Sequence, residues 1–159
     1  MKFEIERKYL VDLDKWLTGE KPAGEFYRQG YILKDPAKTV RVRLTDSTAF
    51  ITIKGSVEGI SRPEFEYEIP QIEAKELLDH FCSSELSKTR HKIVFQGKLW
   101  EVDVFHGENT GLIIAEIELQ SEDEEFELPE WIKEDVTGDI KYYNSNLTEN
   151  PYRNWEVKS

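Results

Sequence analysis

Charged residues of like sign recur in pairs, two positions apart, along most of the chain. This spacing puts both members of a pair on one face of a β-strand, because successive side chains alternate between faces. The acidic pairs are Glu4/Glu6, Glu64/Glu66, Glu101/Asp103 and Glu116/Glu118, and the basic residues are Arg41/Arg43, Lys88/Arg90, Lys8 and Lys54. Like charges on one face repel each other unless an opposite charge lies between them. The acidic pairs therefore require a cation, and the basic pairs require an anion.

Together, these pairs indicate a site for a metal ion and a chain of phosphates. Carboxylate oxygens are the ligands that Mg²⁺ or Mn²⁺ takes in proteins, and such a metal bridges phosphate oxygens. Arginine binds a phosphate through two parallel hydrogen bonds, whereas lysine acts as a point charge. The six basic side chains are more than a monophosphate needs. A ligand with several phosphates is therefore expected.

The strand faces opposite the charges are apolar, as in Val40/Val42 and Ile51/Ile53. An apolar face has to be buried. If it fills the centre of a small barrel, the charges lie on the outer surface, and a carrier of apolar ligands becomes an alternative function. If helices cover it from outside, the charges point inward. The residue pattern alone leaves both arrangements open.

Alternation with a period of two predicts most of the elements that carry these residues. The predicted strands cover about 2–11, 25–33, 38–45, 48–55, 62–69, 86–96, 98–106 and 111–120. Helices are predicted from Asp12 or Asp14 through Trp16, over 71–81, from a cap at Ser121, and near 138–147. Eight strands with short connections favour a closed antiparallel barrel, with a two-sheet sandwich as the alternative. The expected fold class is α+β, mainly β, with a single domain over 1–159.

Composition excludes several classes of function. The net charge of −11 disfavours a nucleic-acid binder. The single cysteine, Cys82, excludes an internal disulfide and a multi-cysteine zinc site. The chain has no apolar run long enough to span a membrane and no apolar signal segment after Met1. We therefore expect a cytoplasmic protein that contacts neither membrane nor nucleic acid, and its apolar strand faces are compatible with a homodimer.

The order of the charged motifs resembles the CYTH superfamily, also called triphosphate tunnel metalloenzymes. Residues 4–8, Glu-Ile-Glu-Arg-Lys, match the ExExK signature of that superfamily. The motifs that follow in order are Arg41-Val42-Arg43, Thr52-Ile53-Lys54, Glu64-Phe65-Glu66, Lys88-Thr89-Arg90, Asp103 and Glu116-Ile117-Glu118. Residues 139–144 are similar to a late Asp-x-Arg-Tyr-x-Asn element, with Lys141 in place of the arginine. The resemblance covers about residues 2–146.

The resemblance implies an eight-stranded antiparallel barrel that forms a tunnel, with helices outside and the charges inside. It implies metal-binding and catalytic roles for Glu4, Glu6, Glu116 and Glu118. It implies substrate-binding roles for Lys8, Arg41, Arg43, Lys54, Lys88, Arg90 and Lys141. It also implies a second carboxylate group, either for a second metal or for holding the basic residues: Glu64, Glu66 and Asp103.

The same resemblance implies an enzyme that uses Mg²⁺ or Mn²⁺ to hydrolyse a triphosphate. The chain is most similar to short stand-alone inorganic tripolyphosphatases, which produce pyrophosphate and phosphate. A thiamine or nucleoside triphosphatase and a class IV-type adenylyl cyclase are alternatives on the same fold. A non-catalytic polyphosphate-binding module is a second alternative. It is disfavoured because a pure anion binder gains nothing from carboxylates that face its ligand.

Overall fold

Eight strands close into an antiparallel barrel in the computed structural model, which describes residues 1–155. The strands are β1 (Phe3–Val11), β2 (Glu25–Asp35), β3 (Lys38–Leu44), β4 (Ala49–Gly55), β5 (Ser61–Glu68), β6 (Ser84–Phe95), β7 (Lys98–Phe105) and β8 (Ile113–Glu118). Their order around the barrel is β1-β5-β4-β3-β2-β6-β7-β8. The first residues of β1 pair with β5 and its later residues pair with β8. The barrel predicted from the alternating pattern is therefore confirmed.

Short helices flank the barrel at three places. They are α1 (Leu13–Thr18), α2 (Gln71–His80) and α3 (Asn144–Leu147), with 3₁₀ turns at Gly107–Asn109, Ile140–Tyr142 and Tyr152–Asn154. Asp12 caps α1 by accepting a hydrogen bond from the backbone N–H of Lys15 at 3.0 Å. The helix predicted near 138–147 is present as two short pieces, because the backbone at Tyr143 is extended. Within residues 1–155, no helix is both long enough and apolar enough to cross a membrane.

The segment after β8 differs from the sequence prediction. The helix predicted to start at Ser121 is wrong, since the chain there makes a turn and then continues without helical structure. Phe126 and Trp131 of this segment both pack on the outer face of the barrel, and an extended chain lets them spread over that face. A short strand that the pattern did not predict, β9 (Ile132–Asp135), then pairs with the second half of β1.

The apolar strand faces point outward and are covered from outside. One cluster joins the outer faces of β1, β7 and β8 to α1 and the extended segment: Tyr9, Val11, Trp16, Trp100, Val102, Ile113, Ala115, Ile117 and Leu119. A second cluster packs α2 on β3 and β4: Val42, Ala49, Ala74 and Leu78. At Gly30 of β2 a Cβ would lie 2.9 Å from the Leu78 side chain, so only glycine permits this approach. Because side chains alternate, the charged faces turn inward.

The inward faces change from charged to apolar toward one end of the barrel. Leu86 lies two residues before Lys88, and Ile114 lies two residues before Glu116. With α3 and the C-terminal residues, they form a buried cluster: Leu86, Phe105, Leu112, Ile114, Leu147 and Trp155. This cluster fills that end of the interior, so the charged region is closed on one side.

An exposed ion-pair network fastens α2 to the barrel. Arg28 Nη2 of β2 lies 2.8 Å from Asp79 Oδ1, and Lys75 Nζ lies 2.7 Å from Asp79 Oδ2. Hydrogen bonds from Lys75 and Arg28 lower the pKa of Asp79 to about 2.

We predict that Asp79→Asn lowers the melting temperature at neutral pH, and that its difference from the wild type disappears in acid. The pKa of Asp79 is lower in the folded chain than the ordinary 3.8. Its stabilising effect is therefore complete above the ordinary value and is lost as the pH falls through about 2. Thermal unfolding across this range measures the effect. Glu76→Gln, an exposed residue of the same helix, is the control and should change little at any pH. A difference for Asp79→Asn that stays constant with pH would contradict the prediction.

Candidate active site

The inward-facing charges line one cavity of about 220 Å³ inside the barrel. Its walls include most of the site residues predicted from the sequence: Glu4, Glu6, Lys8, Arg41, Arg43, Lys54, Glu64, Glu66, Lys88, Arg90, Glu116 and Glu118. Two predicted residues, Asp103 and Lys141, do not line it. The alternation on β1, β3, β4, β5, β6 and β8 therefore brings residues together that are far apart in the chain.

Adjacent strands β1 and β8 form an acidic wall, consisting of Glu4, Glu6, Glu116 and Glu118. The strand register sets Glu6 beside Glu118 and Lys8 beside Glu116. Lys8 Nζ lies 3.9 Å from Glu6 Oε1. Burial opposes its charge, but the carboxylates of Glu116 and Glu6 outweigh burial and raise the pKa of Lys8. The acidic wall thus contains one lysine that stays charged.

Two glutamates of the acidic wall have pKa values shifted in opposite directions. Glu6 and Glu116 are electrostatic neighbours, so the negative charge of one opposes that of the other. Burial and the charges of Glu116 and Glu4 raise the pKa of Glu6 well above its ordinary value. Burial also opposes the charge of Glu116, but Lys8 and Arg90 outweigh it and lower the pKa of Glu116. The surroundings therefore oppose the negative charge of Glu6 and favour that of Glu116.

Lys54 of β4 links the acidic wall to the second carboxylate group. Its Nζ lies 3.0 Å from Glu4 Oε1 and 3.4 Å from Glu64 Oε2. Burial would raise the pKa of Glu4, but the charge of Lys54 outweighs burial and lowers it. The pKa of Glu64 is raised by burial and by the nearby charge of Glu4. The ammonium group of Lys54 is therefore shared between two carboxylates, those of Glu4 and Glu64.

A basic wall, consisting of Arg41, Arg43, Lys88 and Arg90, lies across the barrel. Strands β3 and β6 flank β2, which is halfway round the barrel from β1. The Tyr27 ring of β2 lies between two guanidinium groups, with its centroid 4.8 Å from Arg43 Cζ and 5.3 Å from Arg90 Cζ. Burial and the positive charges of Arg41 and Arg90 lower the pKa of Arg43 to about 10. A bound anion would relieve this repulsion.

Asp103 lies behind the basic wall and is fully buried. It accepts hydrogen bonds from Arg90 Nε at 2.7 Å and Arg90 Nη2 at 2.9 Å, and its Oδ2 lies 2.8 Å from Lys88 Nζ. Burial would raise the pKa of Asp103, but Arg90 and Lys88 outweigh it. Burial lowers the pKa of Lys88 to about 7, despite Asp103. These contacts correspond to the second of the two roles expected for this carboxylate, which was to hold basic residues.

Lys141 does not line the cavity. Its Nζ lies 4.2 Å from the centroid of the Trp155 ring, and the side chain is exposed. The 3₁₀ turn Ile140–Tyr142 points it away from the barrel interior, whereas the next three residues, 143–145, line the cavity.

Several cavity residues were not predicted from the sequence. Arg62 lines the cavity, and its Nε donates a hydrogen bond to the Gly55 carbonyl at 3.1 Å. It lies two residues before Glu64, so the period-two pattern could have identified it. Tyr143 also lines the cavity, but its ring carries no charge pattern that would have marked it. Tyr31, for which the sequence left a tunnel-facing and a structural role open, lines the cavity as well.

The cavity offers a divalent cation only oxygen donors. Within residues 1–155, no three His, Cys, Asp or Glu side chains are already arranged to hold a metal ion. The acidic wall nevertheless has the ligand chemistry that Mg²⁺ and Mn²⁺ prefer. Burial and the charges of Glu116 and Glu4 raise the pKa of Glu6, and a cation among these carboxylates would relieve their repulsion. The donor chemistry of the acidic wall therefore fits such an ion.

Comparison with known proteins shows similarity over nearly the whole chain. A family model described as the CYTH domain matches residues 2–150. The chain is 50% identical over 154 residues to an inorganic triphosphatase of Acetivibrio thermocellus, covering 96% of this chain and 97% of that protein. It is 36% identical over 153 residues to an inorganic triphosphatase of Nitrosomonas europaea, covering 91% and 95%. The crystal structure of the inorganic triphosphatase NE1496 is similar with a TM-score of 0.64 and 32% identity, covering 93% and 95%.

We predict that Asp103→Asn lowers the free energy of unfolding by roughly 3–5 kcal/mol, because it leaves Lys88 and Arg90 buried without their carboxylate. Adding Lys88→Met should recover part of the loss, since one unpaired charge is then removed. Urea unfolding measures both variants. Glu101→Gln, which removes a partly exposed carboxylate 3.3 Å from Arg90 Nη1, is the control. It should cost about 1 kcal/mol or less. An Asp103→Asn protein as stable as the wild type would contradict the prediction.

Proposed function

The chain belongs to the CYTH domain family, and on that premise we propose that it hydrolyses inorganic tripolyphosphate to pyrophosphate and phosphate with a divalent metal ion. The two relatives that are 50% and 36% identical are both named inorganic triphosphatase. Their similarity extends over more than nine-tenths of each chain, and the family match over residues 2–150 includes every strand of the barrel.

The observation that carries this proposal is the opposition of two walls of unlike charge in one enclosed cavity. The acidic wall is on β1 and β8, and the basic wall faces it from the strands beside β2. A phosphate chain against the basic wall and a cation against the acidic wall neutralise both at once. A simple anion site would not need the acidic wall, and a simple metal site would not need the basic one.

The arginines of the basic wall are suited to bind phosphate oxygens. Arg41 Nε is buried without a hydrogen-bond partner in the described part of the chain. Arg43 has no carboxylate partner within residues 1–155 and is held by Gln29 and the Tyr27 ring. Among residues 1–155, Arg62 is hydrogen-bonded only through its Nε, which leaves its terminal nitrogens available. These guanidinium groups supply the paired N–H donors that match phosphate geometry.

Glu4, Glu6, Glu116 and Glu118 would hold the metal ion. When bound, the ion supplies positive charge to the phosphate oxygens and the leaving group. An oxygen-only set of donors accommodates either Mg²⁺ or Mn²⁺. A carboxylate of this wall accepts a hydrogen bond from the attacking water and aligns its oxygen with the terminal phosphorus. The new P–O bond forms as the bridging P–O bond breaks, and pyrophosphate leaves.

Catalysis in this arrangement is mainly positioning and neutralisation of charge, as phosphoryl transfer generally requires. Lys8 is charged and lies beside the acidic wall, where it can contact the terminal phosphate. Its Nζ also lies 5.0 Å from the centroid of the Tyr143 ring, which limits its movement. If a metal ion were bound at Glu4, Lys54 Nζ would be available to a phosphate oxygen.

The shape of the interior supports an inorganic triphosphate over a nucleotide. The apolar cluster around Ile114 and Leu147 closes one end, next to the charged residues. The cavity is lined almost entirely by charged and polar side chains, with the rings of Tyr31 and Tyr143 as its aromatic surfaces. A nucleoside would gain little from such walls, because base recognition relies on stacking and apolar contact.

Three further expectations from the sequence stay predictions. They are a single domain over 1–159, a cytoplasmic location, and a homodimer formed through exposed apolar strand faces. The outer face of β4 and β5 is a candidate for that contact, since Ile53 and Tyr67 are exposed there.

A phosphate-release assay tests the proposed function. We predict turnover of tripolyphosphate with Mg²⁺ or Mn²⁺, no turnover with EDTA, and lower activity on ATP and thiamine triphosphate. Glu116→Gln should reduce kcat by about 100-fold or more, because it removes a carboxylate from the acidic wall. Glu134→Gln, an exposed glutamate of β9, is the matched control and should retain wild-type activity.

Three results would contradict this function. Binding of tripolyphosphate without turnover would indicate a polyphosphate-binding module. Conversion of ATP to cyclic AMP in preference to tripolyphosphate hydrolysis would indicate a cyclase. Full activity in EDTA, or in Glu116→Gln, would contradict the metal site on the acidic wall.

A further inference from the structure

The amide side chains of Gln29 and Asn144 connect two basic residues of the cavity wall, Arg43 and Lys88. Gln29 of β2 is fully buried, and its Nε2 donates a hydrogen bond to Asn144 Oδ1 at 2.9 Å. Gln29 Oε1 accepts a hydrogen bond from Arg43 Nε at 3.1 Å. Asn144 Oδ1 also accepts a hydrogen bond from Lys88 Nζ at 2.7 Å. A continuous chain of hydrogen bonds therefore runs from Arg43 to Lys88 through the two amides.

The donors and acceptors of this amide pair, Gln29 and Asn144, fit in only one arrangement. If the Gln29 amide were reversed, its NH₂ group would face the N–H of Arg43, and its oxygen would face Asn144 Oδ1. Donors would then face donors, and acceptors would face acceptors. In the observed orientation, Gln29 Oε1, Gln29 Nε2 and Asn144 Oδ1 each have a hydrogen-bond partner. A buried network whose hydrogen bonds are all made holds its members rigidly.

An amide holds a basic side chain without neutralising it. Asp103 fixes Arg90 and Lys88 from behind as an ion pair, whereas the fixed point of Arg43 within residues 1–155 is the neutral Gln29 oxygen. This bond uses only Nε, and no residue in 1–155 forms a hydrogen bond with the two terminal nitrogens of Arg43, which lines the cavity. A carboxylate at the Gln29 position would compete with a phosphate for the same charge.

Asn144 connects this arrangement to the C-terminal part of the chain. It is the first residue of α3, which lies beside the cavity, and Leu147 of the same helix is buried in the apolar cluster at the closed end. Since both partners of Asn144 Oδ1 are on barrel strands, this one oxygen fixes α3 relative to the basic wall.

We propose that Gln29 and Asn144 are positioning residues for the triphosphate site: they hold Arg43 and Lys88 in place, and Gln29 does so without neutralising the charge of Arg43. This role rests on the proposed function, because it assumes that the basic wall binds a phosphate chain. Neither residue has a charge, and neither was predicted as part of the site.

The test measures the dissociation constant of tripolyphosphate by calorimetry, together with kcat and KM. Gln29→Met keeps the length of the side chain and removes both amide bonds. We expect it to raise the dissociation constant and KM by ~10-fold, the equivalent of one lost hydrogen bond, with a smaller change in kcat. In an Arg43→Met background, most of this effect should vanish, because the residue being positioned is absent.

Asn109→Ala is the matched control. Asn109 is also a buried amide that holds the C-terminal part of the chain, through the Leu147 carbonyl and the Tyr152 N–H, but it contacts no basic residue of the cavity. We expect it to lower stability while leaving tripolyphosphate binding unchanged.

Gln29→Glu tests the effect of charge at the same position. A glutamate here can still accept the hydrogen bond from Arg43, but its second oxygen faces Asn144 Oδ1, so we expect a lower melting temperature, as for Asn109→Ala. Its charge neutralises Arg43, so we expect binding to weaken by ~10-fold or more. If Gln29 had a purely structural role, Gln29→Glu would weaken binding no more than Asn109→Ala does at a comparable loss of stability.

The results also separate this inference from the proposed function. If the wild type hydrolyses tripolyphosphate but Gln29→Met and Gln29→Glu bind it as tightly as the wild type, the positioning role is overturned and the function stands. If the wild type binds without hydrolysing, the function fails, and the dissociation constants still decide the positioning role. If the wild type does not bind tripolyphosphate, both are overturned.

Discussion

The structure depends on one constraint: charges of like sign that are enclosed together need a counter-charge in the same space. The barrel encloses an acidic wall and a basic wall on opposite sides of one cavity. This inward arrangement is possible because the apolar strand faces find cover outside, under α1, α2 and the extended segment after β8. The outer layers of the fold therefore allow the charges to point inward.

Ion pairs inside the cavity balance part of its charge within the chain itself. Lys54 Nζ lies 3.0 Å from Glu4 Oε1, and Arg41 Nη2 lies 3.4 Å from Glu66 Oε2. These contacts are at the cavity surface, so a cation and a phosphate chain can replace them without unfolding anything. The ion pairs of Asp103 with Lys88 and Arg90 differ, because Asp103 is fully buried and a ligand in the cavity cannot replace it. The site therefore combines ion pairs at the cavity surface, which a ligand can replace, with buried ion pairs that keep the basic side chains in position.

The sequence predicted the parts of the site that charge and spacing reveal. Period-two pairs such as Glu4/Glu6 identified the strands and most of the cavity lining, although the pattern alone could not decide which face points inward. That decision depends on how distant segments cover the barrel, and the wrong helix prediction at Ser121 arose from the same long-range packing. Neutral residues such as Gln29 have no charge pattern and become visible only through their contacts. Lys141 shows the reverse case, in which a position in a motif did not reveal the direction of a side chain.

The most direct measurement is anomalous X-ray diffraction from a crystal grown with Mn²⁺ and tripolyphosphate. The account predicts a manganese peak inside the barrel at Glu6 and Glu116, with phosphate density between that peak and the guanidinium groups of Arg41 and Arg43. Manganese bound only to the acidic surface around residues 122–127, with no phosphate density in the cavity, would contradict it.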